Sequence, residues 1–378
     1  MSGGLIVKGG HVIDPGQGRD AVGDVGFADG RVADPTALSG AESFDASGLI
    51  VIPGIIDLHA HVYWGGTSLG IDADALARTS GTTTWLDVGS AGAGNFEGFL
   101  RHVIERSETR IMALLHVSFA GIFAFSKEVM VGESLDREML HPISCARVAM
   151  QYPEVIRGIK VRIGRRTSGV HGLAALHLAI AAAERANLPV MCHIDEPPPT
   201  YAEVCQTLRA GDVLTHCYRP FPNAPCHADG RVRDAVIEAR ERGVIFDIAH
   251  GKGSFSWDTA EKMVKAGFWP DVISSDVHTL CIDGPAYDNL ITMEKFLYLG
   301  MAMPDVVRAV THAPAAWLRR PDLGDLAVGT TGDATVLRRV AKPRTLTDVE
   351  GVDREAKERL EVAAVIVNGK LWHVPEAA

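Results

Sequence analysis

Two histidines separated by a single residue, His59 and His61, close an apolar run that begins at Leu49. In a β-strand, residues i and i+2 point to the same face, so both imidazoles can approach one ion at the carboxyl end of the strand. Imidazole nitrogen is a common ligand of Zn²⁺ and of similar ions. Because a His-x-His pair also arises by chance, a metal site here requires further ligands from the rest of the chain.

Further candidate ligands lie within or just after other apolar runs of the sequence. They are Lys160, His193, His216 and Asp276. If these runs are parallel strands of one barrel, the side chains face a single mouth, because reactive residues of such barrels lie at the C-terminal ends of the strands. Three or four such groups would hold one metal ion with an open position, and six are enough for two ions that share a bridge.

Lysine is the unusual member of this set. An ammonium group beside a divalent cation is electrostatically unfavourable, so Lys160 must be neutral, lie outside the cluster or be chemically altered. Carboxylation of its amine by CO₂ would produce an anionic carbamate. The two oxygens of that carbamate could bridge two metal ions.

Each candidate also has an ordinary structural interpretation. Lys160 could form an ion pair, His193 could be a satisfied core residue and Asp276 could cap a helix. Their joint placement at strand ends favours the metal centre instead. Eight other histidines lack this placement as a group and are predicted to be structural: His102, His116, His141, His171, His177, His227, His312 and His373.

The elements that must position these ligands are eight apolar or β-branched runs that alternate with helix-length amphipathic stretches. This alternation is typical of an α/β protein with consecutive βα units, and eight units predict a (β/α)8 TIM barrel. The predicted strands are 52–58, 82–88, 111–117, 156–161, 189–193, 213–216, 244–248 and 272–275. Predicted helices include 172–187, 231–242, 257–266 and 287–299. The less periodic segment 120–147 could form a substrate lid or an oligomer contact.

Both ends of the chain have a different pattern from the middle. Short apolar runs separated by Gly-rich turns occupy about the first 50 residues and return near the C-terminus. These segments predict a small β-sandwich domain built from residues 1–51 and 323–378. The barrel is then expected to span residues 52–322.

Composition restricts the class of partner. A net charge of −10, with no basic block, argues against nucleic acid as a ligand. No run approaches the length of a membrane span and the first residues do not resemble a signal peptide, so a cytoplasmic protein is expected. The six scattered cysteines fit reduced thiols. We expect a small-molecule substrate and a homo-oligomer.

The order of ligands, from His59 and His61 to Asp276, with split β segments at both ends, resembles the amidohydrolase superfamily. It is most similar to the binuclear members that carry a carboxylated lysine. The phrases that support the resemblance are Val51–His61, Gly158–Arg162, Ser274–His278 and Gly332–Val336. Together they extend the resemblance over essentially the whole chain.

The resemblance implies a two-metal hydrolase with Zn²⁺, or alternatively Mn²⁺, as the metal. One ion would be held by His59, His61 and Asp276, and the other by His193 and His216. A CO₂-derived carbamate on Lys160 would lie between the two ions. A hydroxide bridging the ions would be the nucleophile, and Asp276 would be the catalytic base and then the acid.

Three phrases resemble a dihydroorotase-like deacetylase branch of this superfamily: His61–Gly65, Gly158–Arg162 and His250–Phe255. Members of that branch are implied to hydrolyse acyl esters or amides of small α-substituted carboxylic acids, such as acetylated 2-hydroxy acids or N-acyl amino acids. Dihydroorotases typically carry an arginine two residues after the second histidine, where this chain has Tyr63. This departure argues against dihydroorotate as the substrate.

A substrate carboxylate also needs a cationic partner. Arg162 lies two residues after Lys160, on the same strand face, and its guanidinium suits bidentate binding of a carboxylate. The alternative role for Arg162 is a structural ion pair. Tyr63 could donate a hydrogen bond to the developing oxyanion, and His250 could touch the substrate.

Two other functions remain open at this point. A cyclic amidase of the dihydroorotase or hydantoinase type would use the same scaffold, and a non-catalytic barrel would retain the fold for binding or assembly. The exact substrate and its chirality, the acyl size, the preference for ester or amide, the metal and the oligomeric state are not specified by the sequence.

Overall fold

The computed structural model describes residues 4–375, and within this range the chain forms 17 strands and ten α-helices. The strands are β1 (Leu5–Asp14), β2 (Arg19–Ala28), β3 (Arg31–Ala33), β4 (Glu42–Asp45), β5 (Ile50–Pro53), β6 (Ile55–Ala60), β7 (Thr82–Gly92), β8 (Arg110–His116), β9 (Ile156–Ile163), β10 (Val190–Ile194), β11 (Val213–Thr215), β12 (Ile245–Asp247), β13 (Ala334–Val340), β14 (Arg344–Thr347), β15 (Asp353–Ala356), β16 (Arg359–Val367) and β17 (Lys370–His373).

The helices lie mainly between the barrel strands. They are α1 (Ala73–Ser80), α2 (Phe96–His102), α3 (Pro142–Gln151), α4 (Ala174–Ala186), α5 (Tyr201–Thr207), α6 (Asp234–Glu241), α7 (Trp257–Lys265), α8 (Asn289–Tyr298), α9 (Met303–Val310) and α10 (His312–Trp317). Short 3₁₀ turns occur at Pro35–Ala37, Ile104–Arg106, Arg137–Met139 and Gly169–His171. Among the described helices, none has the length and apolar character needed to cross a bilayer.

Seven parallel strands, β6 to β12, lie side by side in sequence order and form the curved wall of the barrel. The eighth predicted strand, 272–275, is extended but has no continuous ladder. Parallel bridges from Asp247 to Val272 and from Ala60 to Val277 close the barrel at this segment. A further hydrogen bond joins the first and last barrel segments beside the predicted ligands: the Asp276 amide donates to the carbonyl of His59 at 2.7 Å.

The predicted first barrel strand, 52–58, is divided between two sheets. β5 pairs with β1 and β13 in the terminal sheet, whereas β6 pairs with β7 in the barrel. Gly54 separates β5 from β6, and a Cβ atom at this position would lie 2.2 Å from Oγ1 of Thr83. The chain therefore crosses between the sheets at a point where only glycine fits.

The terminal segments form one eight-stranded sheet that surrounds its own apolar core. Its order is β17-β16-β13-β5-β1-β2-β3, with β4 also paired to β1. The apolar core includes Val7, Phe27, Val51, Val336 and Ile366. The hairpin β14–β15 is separate from this sheet in the hydrogen-bond pattern.

A second apolar cluster joins barrel strands to the helix that follows the barrel. Ile56, Leu58, Leu86 and Met112 belong to it, together with Leu318 from just after α10. The polar candidate ligands lie further along the same strands, toward their C-terminal ends. The barrel thus has an apolar end that packs and a polar end that is available for chemistry.

Candidate metal centre and substrate cavity

His59, His61 and Asp276 form the tightest group of candidate ligands. Oδ1 of Asp276 lies 3.3 Å from Nε2 of each histidine, and all three side chains are nearly buried. Asp276 has a left-handed φ of 49°, which turns its side chain from the barrel seam toward the histidines. Two imidazole nitrogens and one carboxylate oxygen therefore converge on one small volume.

The imidazoles of the cluster are held on the side away from this volume. Nδ1 of His59 lies 2.8 Å from Oγ1 of Thr215, and Nδ1 of His61 lies 3.0 Å from Oγ of Ser90. Nδ1 of His216 donates to the Ala249 carbonyl at 2.9 Å. Such contacts fix the ring orientation and the tautomer, which leaves Nε2 free to bind a cation.

Burial also keeps these rings uncharged. Desolvation lowers the pKa of His61 to about 3 and places the pKa values of His59 and His216 well below their ordinary range. The charge of nearby Lys160 lowers all three further. Neutral imidazole is the form that binds a metal ion.

His193 and His216 form a second pair of candidate ligands. Their ring centroids are 4.4 Å apart, and Nε2 of His193 is buried without a hydrogen-bond partner among the described residues. A buried polar atom without a partner costs about 1–3 kcal/mol. A metal ion bound at Nε2 would remove that cost, so the orphaned atom fits a metal site.

Lys160 lies between the two groups. Its Nζ is 3.5 Å from Nε2 of His59, and burial lowers the Lys160 pKa to about 8. Gly89, with φ of 88°, makes room for this side chain, because a Cβ there would lie 2.7 Å from Cγ of Lys160. All six predicted ligands are therefore brought together at one mouth, and their nitrogen and oxygen atoms suit divalent metal ions.

A cavity of about 610 Å³ opens directly beside this cluster. Its wall includes His193, Asp276, His278, Arg162, Arg219 and Phe125. This volume is within the range of small-molecule sites. The cavity is the candidate substrate site of the protein.

Arg162 is where the sequence predicted it, at the cavity wall, but it already contacts an acid. Its Nε lies 3.4 Å from Oε1 of Glu133, and its guanidinium lies over the ring of Phe125 at 4.7 Å. Nε of Arg162 has no hydrogen-bond partner within residues 4–375. Nε of Arg162 is thus engaged by the ion pair with Glu133, which leaves the terminal nitrogens of the guanidinium as the groups that could bind a ligand.

Glu133 and His116 form a buried pair behind Arg162, and the sequence did not predict this pair. Glu133 comes from the irregular segment between β8 and α3, and its Oε1 lies 3.1 Å from Nε2 of His116 at the end of β8. His116 was predicted to be structural, and the structure places it fully buried against this acid. A loop glutamate carries no periodic signal that would have predicted the pair.

Arg219 is a cavity residue that the sequence analysis missed. It follows His216 by three residues and is buried, and one of its terminal nitrogens donates to the carbonyl of Ile194. Its Nε has no partner in the described part of the chain. Its position just beyond a ligand at a strand end was the available signal.

Tyr63 and His250 are not brought to the cavity. The Tyr63 hydroxyl faces the Asn95 carbonyl at 3.4 Å, and its ring stacks on Phe99 with centroids 4.5 Å apart. His250 is fully buried, and its ring contacts Nζ of Lys295. Sequence position alone placed both residues near the mouth, but it did not specify the direction of their side chains.

The aromatic residues in and near the segment 120–147 differ in exposure and in contact with the cavity. Phe125 contacts the cavity, whereas Phe119 and Phe123 are exposed, as is Trp64. Oγ of Ser68 donates a hydrogen bond to the Phe123 carbonyl at 2.8 Å, and the same Oγ accepts a hydrogen bond from the Phe125 amide at 2.9 Å. This bond pair ties the segment to the loop after β6.

Comparisons with known proteins agree with this architecture. A model of the amidohydrolase family matches residues 50–372. A deacetylase of Brucella anthropi is 33% identical over 310 residues, which cover 82% of this chain and 76% of the relative. A deacetylase of Enterococcus faecalis is 31% identical over 328 residues, covering 86% of this chain and 87% of the relative.

Two solved structures are similar over almost the whole chain. One is described as an adenine deaminase, with 29% identity and a TM-score of 0.88, covering 98% of this chain and 99% of that one. The other is described as a dihydroorotase, with 30% identity and a TM-score of 0.88, covering 97% of each chain. These likenesses confirm the predicted (β/α)8 barrel with a small β domain from the two terminal segments.

Proposed function

This chain belongs to the amidohydrolase family, and from that premise we propose that it is a metal-dependent deacetylase. Its substrates are acyl esters or amides of small α-substituted carboxylic acids, such as acetylated 2-hydroxy acids or N-acyl amino acids. The observation that carries the proposal is the carboxylate of Asp276, which lies 3.3 Å from Nε2 of both His59 and His61 and lines a cavity that contains buried guanidinium groups. Similarity to deacetylases over most of the chain supports the choice of reaction.

His59, His61 and Asp276 would hold one divalent cation, Zn²⁺ or Mn²⁺, and His193 and His216 would hold a second. Bound cations supply a lowered water pKa and polarisation of the scissile carbonyl. Lys160 would contribute to both sites as a carbamate. The lowered pKa of Lys160, about 8, favours this modification because only the neutral amine adds to CO₂.

Asp276 is assigned the proton transfers. Its Oδ1 faces the two imidazoles, whereas its Oδ2 lies 4.0 Å from Nδ1 of His216 and is the oxygen that can hold a proton. Burial raises the pKa of Asp276 to about 6, which is closer to neutrality than an ordinary aspartate. Asp276 accepts the proton of the attacking water and delivers it to the leaving alkoxide or amine.

The cavity selects an anionic substrate. Arg162 and Arg219 are both buried at its wall; Nε of Arg162 is ion-paired with Glu133, and Nε of Arg219 has no hydrogen-bond partner in the described chain. Buried charges are normally paired, so these groups are suited to a ligand that carries a carboxylate. Phe125 provides an apolar surface beside Arg162 for the acyl or side-chain portion.

A cyclic amidase is the second candidate, because a structurally similar protein is described as a dihydroorotase. Ring opening of an amide would use the same ligands and the same proton carrier. Tyr63 provides no cation for a dihydroorotate carboxylate, and its ring is turned away to Phe99. This observation favours deacetylation over dihydroorotase activity.

The test is a substrate screen with metal-replete protein, produced with added Zn²⁺ or Mn²⁺ and bicarbonate. Acylated amino acids and hydroxy acids are compared with hydantoins, dihydroorotate and adenine. We expect acetate release from acyl acids and no ring opening or ammonia release. Ring opening without acetate release would establish the cyclic amidase instead.

A further inference from the structure

The tripeptide Ala249–Gly251, just after β12, touches two candidate ligands from different strands. The Ala249 carbonyl accepts the hydrogen bond from Nδ1 of His216 at 2.9 Å. Gly251 packs against Asp276 so closely that a Cβ on this glycine would lie 2.1 Å from Oδ2 of Asp276. The orientation of both ligands therefore depends on where this short backbone segment lies.

The segment has an unusual backbone conformation. Ala249 has φ of 41° and Gly251 has φ of 52°. A non-glycine residue with positive φ carries strain that persists only when neighbouring structure holds it. Backbone bonds from His250 to Ser274, at 3.3 Å, and from Gly251 to Ser275, at 2.9 Å, hold one side of the segment.

The His250 imidazole holds the other side. It is completely buried, and its Nδ1 lies 2.9 Å from the Gly251 carbonyl. Its Nε2 contacts Nζ of Lys295, a buried lysine of α8 that also donates to the Thr347 carbonyl at 2.6 Å. The Gly251 carbonyl can only accept, so the ring proton resides on Nδ1 and is donated to Gly251, and Nε2 is left to accept from Lys295.

We propose that His250 is a positioning residue whose tautomer is set by Lys295, and that it holds Ala249–Gly251 so that His216 and Asp276 keep the orientation needed to bind metal. Neither His250 nor Lys295 contacts the substrate cavity. The inference rests on the metal ligands of the proposed function, but not on the identity of the substrate. It replaces the substrate contact predicted for His250 from the sequence.

The experiment measures metal affinity on the apoprotein by chelator competition, together with kcat and KM of the metal-replete enzyme. Four variants of the full chain are compared: His250→Leu, His250→Asn, Lys295→Met and Phe296→Leu. The asparagine amide nitrogen can take the place of Nδ1 and donate to Gly251. Phe296→Leu is the matched control, since it creates a packing defect beside Lys295 without removing a polar contact of His250.

We expect His250→Leu and Lys295→Met to weaken metal binding and to lower kcat by about 10- to 100-fold, the range found for residues that orient metal ligands. KM should change less than about twofold, because a positioning residue alters the orientation of the ligands and not substrate binding. His250→Asn should recover most of the loss. Phe296→Leu should lower the melting temperature and leave the metal affinity unchanged.

Three results would overturn the proposal. A raised KM with unchanged kcat and metal affinity would make His250 a substrate contact. Equal damage in His250→Asn and His250→Leu, or equal loss of metal affinity in Phe296→Leu, would reduce its role to packing. Metal affinity is measured without substrate, so failure of the deacetylase proposal leaves this test intact. If His250→Leu does not fold, Lys295→Met and His250→Asn decide the outcome.

Discussion

Buried polar groups have different surroundings at the metal-ligand end of the barrel and at the wall of the substrate cavity. The imidazoles of His59, His61 and His216 each have Nδ1 held by a protein atom. The guanidinium groups of Arg162 and Arg219 are also buried; Arg162 has an ion pair with Glu133, whereas Nε of Arg219 has no hydrogen-bond partner in the described chain. Protein atoms thus orient the ligands of the first region and leave Nε2 of His193 for an ion, whereas the second region has a guanidinium nitrogen without a partner.

This difference separates positions that must stay fixed from positions that receive a ligand. A buried donor without a partner costs about 1–3 kcal/mol, so Nε of Arg219 supports the proposal that an anionic group of the substrate binds at this cavity. The fixed region lies on strand ends, whereas the adaptable region includes the irregular segment that carries Glu133. The proposal thus assigns the reaction chemistry to strand ends and substrate selection to Arg162 of β9 together with residues of the loops.

The strongest test of the fixed region is Asp276→Asn. Asparagine keeps the size of the side chain but cannot carry the catalytic proton, so kcat should fall by about 10³-fold or more. Steady-state kinetics on an acyl substrate measures this loss, with Asp258→Asn on the exposed face of α7 as the control. Near-normal kcat in Asp276→Asn would refute the role of Asp276 in proton transfer. The assignment of the reaction chemistry to the metal-ligand end would then be wrong.

The second test asks whether the two groups of ligands are separable. Lys160→Ala removes the group that lies between them, so metal content should fall from about two ions per chain to one, with His59, His61 and Asp276 retaining the ion. Elemental analysis of protein grown with bicarbonate provides the measurement, and exposed Lys265→Ala is the control. Retention of two ions by Lys160→Ala would exclude a bridging carbamate.

The cavity side of the comparison is tested by Arg162→Met and Arg219→Met. A hydrogen bond to a charged group contributes about 1.5–3 kcal/mol, so each change should lower kcat/KM for carboxylate-bearing substrates by about 10- to 100-fold. Neutral amide analogues of the same substrates should be affected much less.

Exposed Arg231→Met is the control for the loss of one positive charge. An equal effect on acidic and neutral substrates would mean that neither arginine anchors a carboxylate. A larger effect for Arg219 than for Arg162 would assign the anchor to Arg219 and leave Arg162 as the partner of Glu133.

The smallest expected effect concerns the pH dependence of stability. Burial lowers the pKa of Lys295 from its ordinary 10.5 to about 7. Between these values the unfolded chain binds more protons than the folded one, so the stability of the wild type relative to Lys295→Met should rise with pH between about 7 and 10, by at most about 1.4 kcal/mol per pH unit. Denaturant unfolding of both proteins at several pH values measures the difference.

A pH-independent difference between the two proteins would show that Lys295 remains charged in the folded state. The fixed region would then include a buried ammonium that contacts backbone carbonyls, His250 and the rings of Phe255 and Trp257. Lys265→Met supplies the reference for an exposed lysine.

Much of the ligand set could be predicted because strand periodicity and strand ends are visible in sequence. His59, His61 and Asp276 meet as expected from that periodicity. Tyr63 and His250 do not reach the cavity, because the direction of a side chain in a loop depends on contacts such as Phe99 and Lys295 that are distant in sequence.

The remaining differences also have local physical causes. The predicted strand 52–58 is interrupted at Gly54, where close contact with Thr83 excludes a side chain. The predicted strand 272–275 has a bridge at Val272, and the next bridge lies beyond it at Val277, so the apolar pattern predicts where the barrel closes but not a continuous ladder. Glu133 has no periodic context at all, because its segment between β8 and α3 is largely irregular.

The order of the terminal sheet has a consequence for synthesis on the ribosome. β5 lies between β1 and β13, and Ile52 pairs with Thr335. While the nascent chain is growing, β5 must present an open edge until β13 has emerged. Open strand edges promote association between chains, so the early strands need protection during translation. The sheet is completed late, when almost all of the catalytic barrel has already been made.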